Sequence, residues 1–184
     1  MRGSPSYTTR MILEGLVTTT DATGAMHLAP MGPRVEPGMT RFLLRPFPTS
    51  QTFQNLRERP EGVLHVSDDV LLLARAAIGR IENLPPAHPA SRVRGFVLDD
   101  ACRAYEFRVS SLDESEQRMR LECEVVHVHR QRDFFGFNRA MAAVVEAAIL
   151  ATRVHLIPAG EIAAEYSKLD TIVGKTGGDR ERAA

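Results

Sequence analysis

The sequence is poor in several things that would mark particular protein classes. Two cysteines, Cys102 and Cys123, among 184 residues cannot build a disulfide scaffold. A cytoplasmic protein with two reduced, strand-borne thiols is expected. No apolar run approaches the roughly 20 residues that a membrane-crossing helix needs. No excess charge is present: Lys plus Arg and Asp plus Glu number 23 each. A net charge of zero argues against general binding to nucleic acid or membrane surfaces, which draws on a basic excess. The first ten residues, MRGSPSYTTR, lack the apolar centre of a signal peptide and are expected to form a flexible arm. There is no internal repeat, P-loop, GxGxxG, GxSxG or HExxH, so no familiar signature for a nucleotide, acyl-transfer or zinc-protease site.

What is present suffices for one domain. The hydrophobic content is 43%, and the expected domain spans residues 11–176, with a flexible polar tail over 177–184. Met11 to Thr20 is β-rich. Asp21 to Gly24 is a turn, and Met26 to Ala29 completes a hairpin. Ala29-Pro30-Met31-Gly32-Pro33 does not suit a regular central strand. Its backbone could meet a flat heteroaromatic ring, or it is an ordinary connection. Gly62 to Ser67 is a short buried strand. Ser67 or Asp68 then caps a helix to Ile78, and Leu84 to Pro89 is a proline-rich loop. Arg92 to Val109 and Arg118 to His129 alternate strongly, as strands do. His127 and His129 stand two apart on one face. With no third ligand close in sequence, they are read as structural histidines and no metal site is assigned. From Asn138, Met141, Val144, Val145, Ala148, Ile149 and Thr152 follow helical spacing. A second helix runs from about Ala159 to Val173, stopped by Gly174. Strands first and helices last give an α+β class.

The chemistry is concentrated in Arg41 to Asn55, RFLLRPFPTSQTFQN. Alternation makes its start a strand, and Pro46 and Pro48 end it. Ser50 is a good N-cap for a helix from Gln51 to about Arg59. A helix N-terminus carries unpaired N–H groups and the positive dipole end. With the Arg45 guanidinium and the hydroxyls of Ser50 and Thr52, it can hold a phosphate dianion. A plain strand, turn and capped helix is the other reading.

Ala29-Pro30-Met31-Gly32, a strand carrying Arg45, Ser50-Gln-Thr-Phe-Gln-Asn55-Leu and Gly62-Val-Leu-His-Val66 occur in an order that resembles the FMN-binding split-barrel superfamily, which includes flavin reductases. The sequence is most similar to the domain-of-unknown-function family 447. Asn138-Arg139-Ala140 and Glu146 to Arg153 resemble that family's C-terminal helix. The resemblance implies a split β-barrel homodimer binding FMN near its interface. Arg45, Ser50, Thr52 and Asn55 would hold the phosphate. Thr18, Thr19 and the backbone of Ala29, Pro30, Met31 and Gly32 would lie by the isoalloxazine. His27 and His65 stand where Asn is expected. Both imidazoles would approach the flavin and shift its reduction potential as they titrate between about pH 5.5 and 7.5; the alternative is that one or both are neutral, hydrogen-bonded core histidines. The implied activity is electron transfer between a nicotinamide or deazaflavin donor and another small molecule. A non-catalytic flavin sensor, carrier or assembly module, linked to one-carbon metabolism, is the alternative.

Overall fold

The structure is a computed structural model and describes residues 11–184. The expected N-terminal arm, residues 1–10, lies outside the described residues. The chain divides into two compact units. One comprises the described residues up to Val66 together with Pro85–Arg132, the other Ser67–Leu84 together with Asp133–Ala184.

The first unit holds β1 (Met11–Ile12), β2 (Gly15–Thr20), β3 (Met26–Met31), β4 (Arg34–Val35), β5 (Arg41–Leu44), α1 (Gln51–Glu58), β6 (Glu61–Val66), β7 (Ala87–Pro89), β8 (Phe96–Leu98), β9 (Arg103–Asp113) and β10 (Arg120–Arg130). Eight of the strands form one antiparallel sheet in the order β1-β4-β5-β10-β9-β6-β2-β3, and β7 pairs with β8. The β2–β3 hairpin follows from its turn. Asp21 Oδ1 accepts the N–H groups of Thr23 and Ala25 at 2.8 and 3.0 Å, and Gly24 takes a φ of 89°. Contrary to expectation, β3 continues through Ala29 and Pro30 to Met31. It is the last strand of the sheet, where a residue without an N–H is tolerated. The loop expected around Leu84–Pro89 likewise contains β7.

Alternation sorts the side chains onto two faces. Val17, Leu64, Tyr105, Phe107, Leu121, Cys123, Phe42 and Leu44 make the main core with Phe53 and Leu56 of α1. Phe42 and Phe107 meet edge to face at 5.2 Å. A Cβ at Gly62 would lie 2.8 Å from the Thr18 carbonyl and 2.9 Å from the Phe107 ring, so only glycine lets β6 pass there. On the other face, Val63 and Ala104 pack under Val93 and Val97 of the excursion between β6 and β9. Glu106 is fully buried on this second face. Its carboxylate accepts the backbone N–H groups of Ser91, Arg92 and Val93 at 2.7, 2.6 and 3.1 Å, tying the excursion to the sheet. Both cysteines are buried.

The second unit is helical: α2 (Val70–Ala77), α3 (Arg139–Ala151), α4 (Ala159–Thr176) and α5 (Asp179–Ala183). Asp69, one position later than expected, caps α2 by accepting the Leu72 N–H at 2.9 Å. Asn138 caps α3 as expected. Val70 and Ala74 of α2 pack on Val144 and Ala148 of α3, with Val173 of α4 against them. Tyr166 donates its hydroxyl to the Ala147 carbonyl at 2.8 Å, fastening α4 to α3. Gly174 does not end α4, because the helix runs to Thr176. The expected tail contains α5, whose entry is fixed by Gly178 N–H donating to Glu181 Oε2 at 2.8 Å. Among the described residues, no helix is long and apolar enough to cross a membrane.

Candidate functional site

The start of α1 has the composition of an anion site. Ser50, in extended conformation, is the N-cap, and its Oγ accepts the Phe53 N–H. The same hydroxyl donates to the Phe47 carbonyl at 2.8 Å, which sets its orientation. Gln54 N–H returns to the Ser50 carbonyl. That leaves the N–H groups of Gln51 and Thr52 without intrahelical acceptors, as at any helix start. Arg45 follows directly on β5. Its Nη2 pairs with Glu116 at 2.6 Å, whereas its Nε is buried and has no partner among the described residues. A buried guanidinium N–H without an acceptor is costly, and an anionic oxygen would relieve it. Guanidinium and helix-start N–H groups are the donor types that a phosphate group takes.

Asn55 also has a task within the fold. It is buried, donates from Nδ2 to Thr19 Oγ1 at 2.9 Å, and accepts from Gln51 Nε2 at 2.7 Å. It fastens α1 to β2. Thr52 is buried in the same helix.

Strand register divides the remaining expected residues. Thr19 lies opposite His27, Val17 opposite Ala29 and Gly15 opposite Met31. Those side chains share the main-core face with Asn55 and α1. Thr18 and Pro30 belong to the other face, and Thr18 donates its hydroxyl to the Phe96 carbonyl at 2.6 Å. His65 lies opposite Leu16, on that same second face. Thus His27 and His65 are on opposite faces of the sheet, and the expected approach of both imidazoles to one ring does not follow from their strands. Gly32 follows β3, beside the Ile12 side chain.

The histidine environments differ as well. His27 is half-buried, and burial lowers its pKa from the ordinary histidine value. His65 is fully buried. Nδ1 donates to the Leu16 carbonyl at 3.2 Å and Nε2 accepts the Leu98 N–H at 3.1 Å, which is the pattern of a neutral ring. Burial pushes its pKa down to about 4, against a smaller opposing effect of the Leu16 hydrogen bond. His65 is therefore neutral between pH 5.5 and 7.5.

Three residues were invisible to local sequence reasoning. Glu116, in the β9–β10 turn, meets Arg45 only in the folded chain. Thr20 Oγ1 is buried and, with Arg45 Nε, lacks a partner among the described residues. Glu106 is the buried anchor of the second face. Alternation places it on the face away from Tyr105 and Phe107, where an acid is ordinary, so its burial under Ser91 to Val93 left no mark in the sequence.

The curled antiparallel sheet with α1 between β5 and β6 is the split β-barrel of flavin reductase-like FMN-binding proteins. The chain belongs to the DUF447 family: the description "Protein of unknown function (DUF447) N-terminal domain" matches residues 13–132, and "Protein of unknown function (DUF447)" matches 138–184. Among solved structures, an FMN-bound DUF447 protein from Methanosarcina mazei is 22% identical, with 95% of this chain and 92% of that chain covered and a TM-score of 0.80. The 2-nitrobenzoate 2-nitroreductase of Pseudomonas fluorescens is 21% identical, with 68% and 66% covered and a TM-score of 0.54. Flavoredoxin from Methanosarcina acetivorans is 9% identical, with 71% and 75% covered and a TM-score of 0.54. A comparison with curated proteins gave no match.

Proposed function

We propose that this chain is an FMN-binding oxidoreductase that passes electrons between a nicotinamide or deazaflavin donor and a second small molecule in the cytoplasm. The observation that carries the reading is the buried Arg45 Nε, without a partner among the described residues, on the segment that leads into a Ser-capped helix start of a split barrel. Bound FMN would supply the redox chemistry. Arg45, the Thr52 hydroxyl and the first N–H groups of α1 would hold its phosphate, and Ser50 would join them by turning its hydroxyl from the Phe47 carbonyl. Asn55 would keep α1 in register with β2 through Thr19. The backbone of Ala29 to Gly32 would border the ring, with His27 and Thr19 on the α1 face and Thr18 and His65 supporting the sheet from behind.

Arg45→Ala is expected to weaken FMN binding by about 2 kcal/mol, the loss of a charge-assisted hydrogen bond. Riboflavin has no phosphate and should bind the variant and the wild type alike. Fluorescence titration measures both, and equal FMN affinity in the two proteins would remove Arg45 from the phosphate site. Electron transfer is tested separately: the yellow holoprotein should bleach with NADH, NADPH or a reduced deazaflavin without oxygen, and recolour with oxygen. A holoprotein that none of them bleaches favours the non-catalytic flavin module.

The reading includes a homodimer. Its support is apolar surface: in the helical unit Phe135 and Phe137 are 97% and 89% exposed, and in the sheet unit Met11 and Ile12 are exposed on an edge strand. Aromatic side chains so exposed mark contact surfaces. Light scattering at micromolar concentration should give twice the 20.4 kDa of one chain. A monomer would reject it.

A further inference from the structure

The second face of the sheet carries a cluster that the flavin reading does not use. β10 is irregular between Val125 and His127: Val125 lies opposite Phe107, and His127 opposite Glu106. Val126 is the extra residue. In an unbroken strand His127 and His129 would continue the row of Leu121, Cys123 and Val125 into the main core. The bulge turns them instead to the face of Glu106, a use of bulges that re-aims side chains.

We propose that Glu106, His127 and His129 form a binding site for one divalent transition-metal ion of the zinc class. One potential ligand atom from each residue lies within 4.8 Å of the others. His129 Nε2 is 2.6 Å from Glu106 Oε1. The His127 and His129 rings stand edge to face, with centroids 4.7 Å apart. Two imidazoles and a carboxylate are a borderline nitrogen and oxygen donor set, which suits zinc and its neighbours better than calcium or magnesium.

The carboxylate is prepared for the task. The N–H groups of Ser91, Arg92 and Val93 hold it in place, as outer hydrogen bonds hold metal-ligating carboxylates. Burial acts to raise the Glu106 pKa, but the hydrogen bonds from His129, Ser91 and Arg92 outweigh it and keep the pKa below the ordinary value. A further imidazole is nearby: the His88 ring is 6.2 Å from that of His129. His88 Nδ1 is 2.7 Å from Asp99 Oδ1, the carboxylate–histidine arrangement that leaves Nε2 for an ion. An ion would replace the proton now shared by His129 Nε2 and Glu106 Oε1, with His88 or water completing the coordination.

The test uses the full chain stripped with a chelator and titrated with zinc chloride by calorimetry, then with cobalt chloride for its visible absorption. The wild type should bind one ion per chain and give the intense spectrum of a tetrahedral or five-coordinate cobalt site. His127→Ala should weaken zinc by on the order of 100-fold or more, beyond the effect of losing an outer partner. His155→Ala, in the helical unit, should bind like the wild type. Circular dichroism identifies any variant that fails to fold. His127→Ala is the deciding one, because the hydrogen bonds of Glu106 stay in place without it. A wild type that takes up no stoichiometric zinc would overturn the proposal. Unchanged zinc binding by His127→Ala would do the same, reducing the site to adventitious binding.

Discussion

Glu106→Ala is expected to lower the stability of the sheet unit by about 3–5 kcal/mol, the range for breaking a buried, hydrogen-bonded charge arrangement. The substitution removes the acceptor of three backbone N–H groups at once, those of Ser91, Arg92 and Val93, and the partner of His129. It also leaves a cavity under Val93 and Val97, which already pack on Val63 and Ala104. Glu106→Gln retains the volume and one acceptor oxygen. Its amide nitrogen, however, would face N–H donors, so it should fall between the wild type and the alanine variant. Scanning calorimetry of metal-free protein gives the ranking. Amide exchange adds locality: the Ser91 to Val93 amides should exchange faster in both variants. An alanine variant that melts with the wild type would mean that water or a backbone shift replaces the carboxylate without loss.

The flavin reading and the Glu106 cluster belong to different faces of one sheet, and that division explains what the sequence could show. Local signals were legible. Ser50 and Asn138 are caps because their short oxygen-bearing side chains reach the first N–H groups, and both cap as expected. The long strands were legible from alternation, and the order of short motifs pointed to the split barrel. Residues joined by strand pairing were not legible. The two histidines two apart in β10 showed no third ligand, because Glu106 lies 23 positions away. The bulge that turns both to the face of Glu106 leaves no mark in the pattern. Nor could the pattern show that Thr18 and Thr19 serve opposite faces, although adjacent residues of any strand must. The Arg45–Glu116 pair spans 71 positions. Pro30 misled for a physical reason: proline excludes a central strand, but β3 is an edge.

His65 makes the stability of this protein pH-dependent in a window set by its burial. The unfolded ring has an ordinary pKa near 6.5, and in the folded chain burial pushes it down to about 4. Between those values the unfolded state binds more protons than the folded state. Stability therefore rises with pH through the window, is complete above about pH 6.5, and is lost as pH falls toward 4. The full difference corresponds to about 3 kcal/mol. His129 and His88 lie near enough for their positive charge to oppose protonation of His65 further. Protonation would also put a second N–H where Nε2 now accepts from Leu98, setting donor against donor. His65→Asn offers a donor and an acceptor but has no charge to gain. It should lose some packing at pH 7, yet its urea midpoint should fall less between pH 7 and 5 than that of the wild type. If the two midpoints fall in parallel across that range, the buried imidazole is not the source of the acid sensitivity.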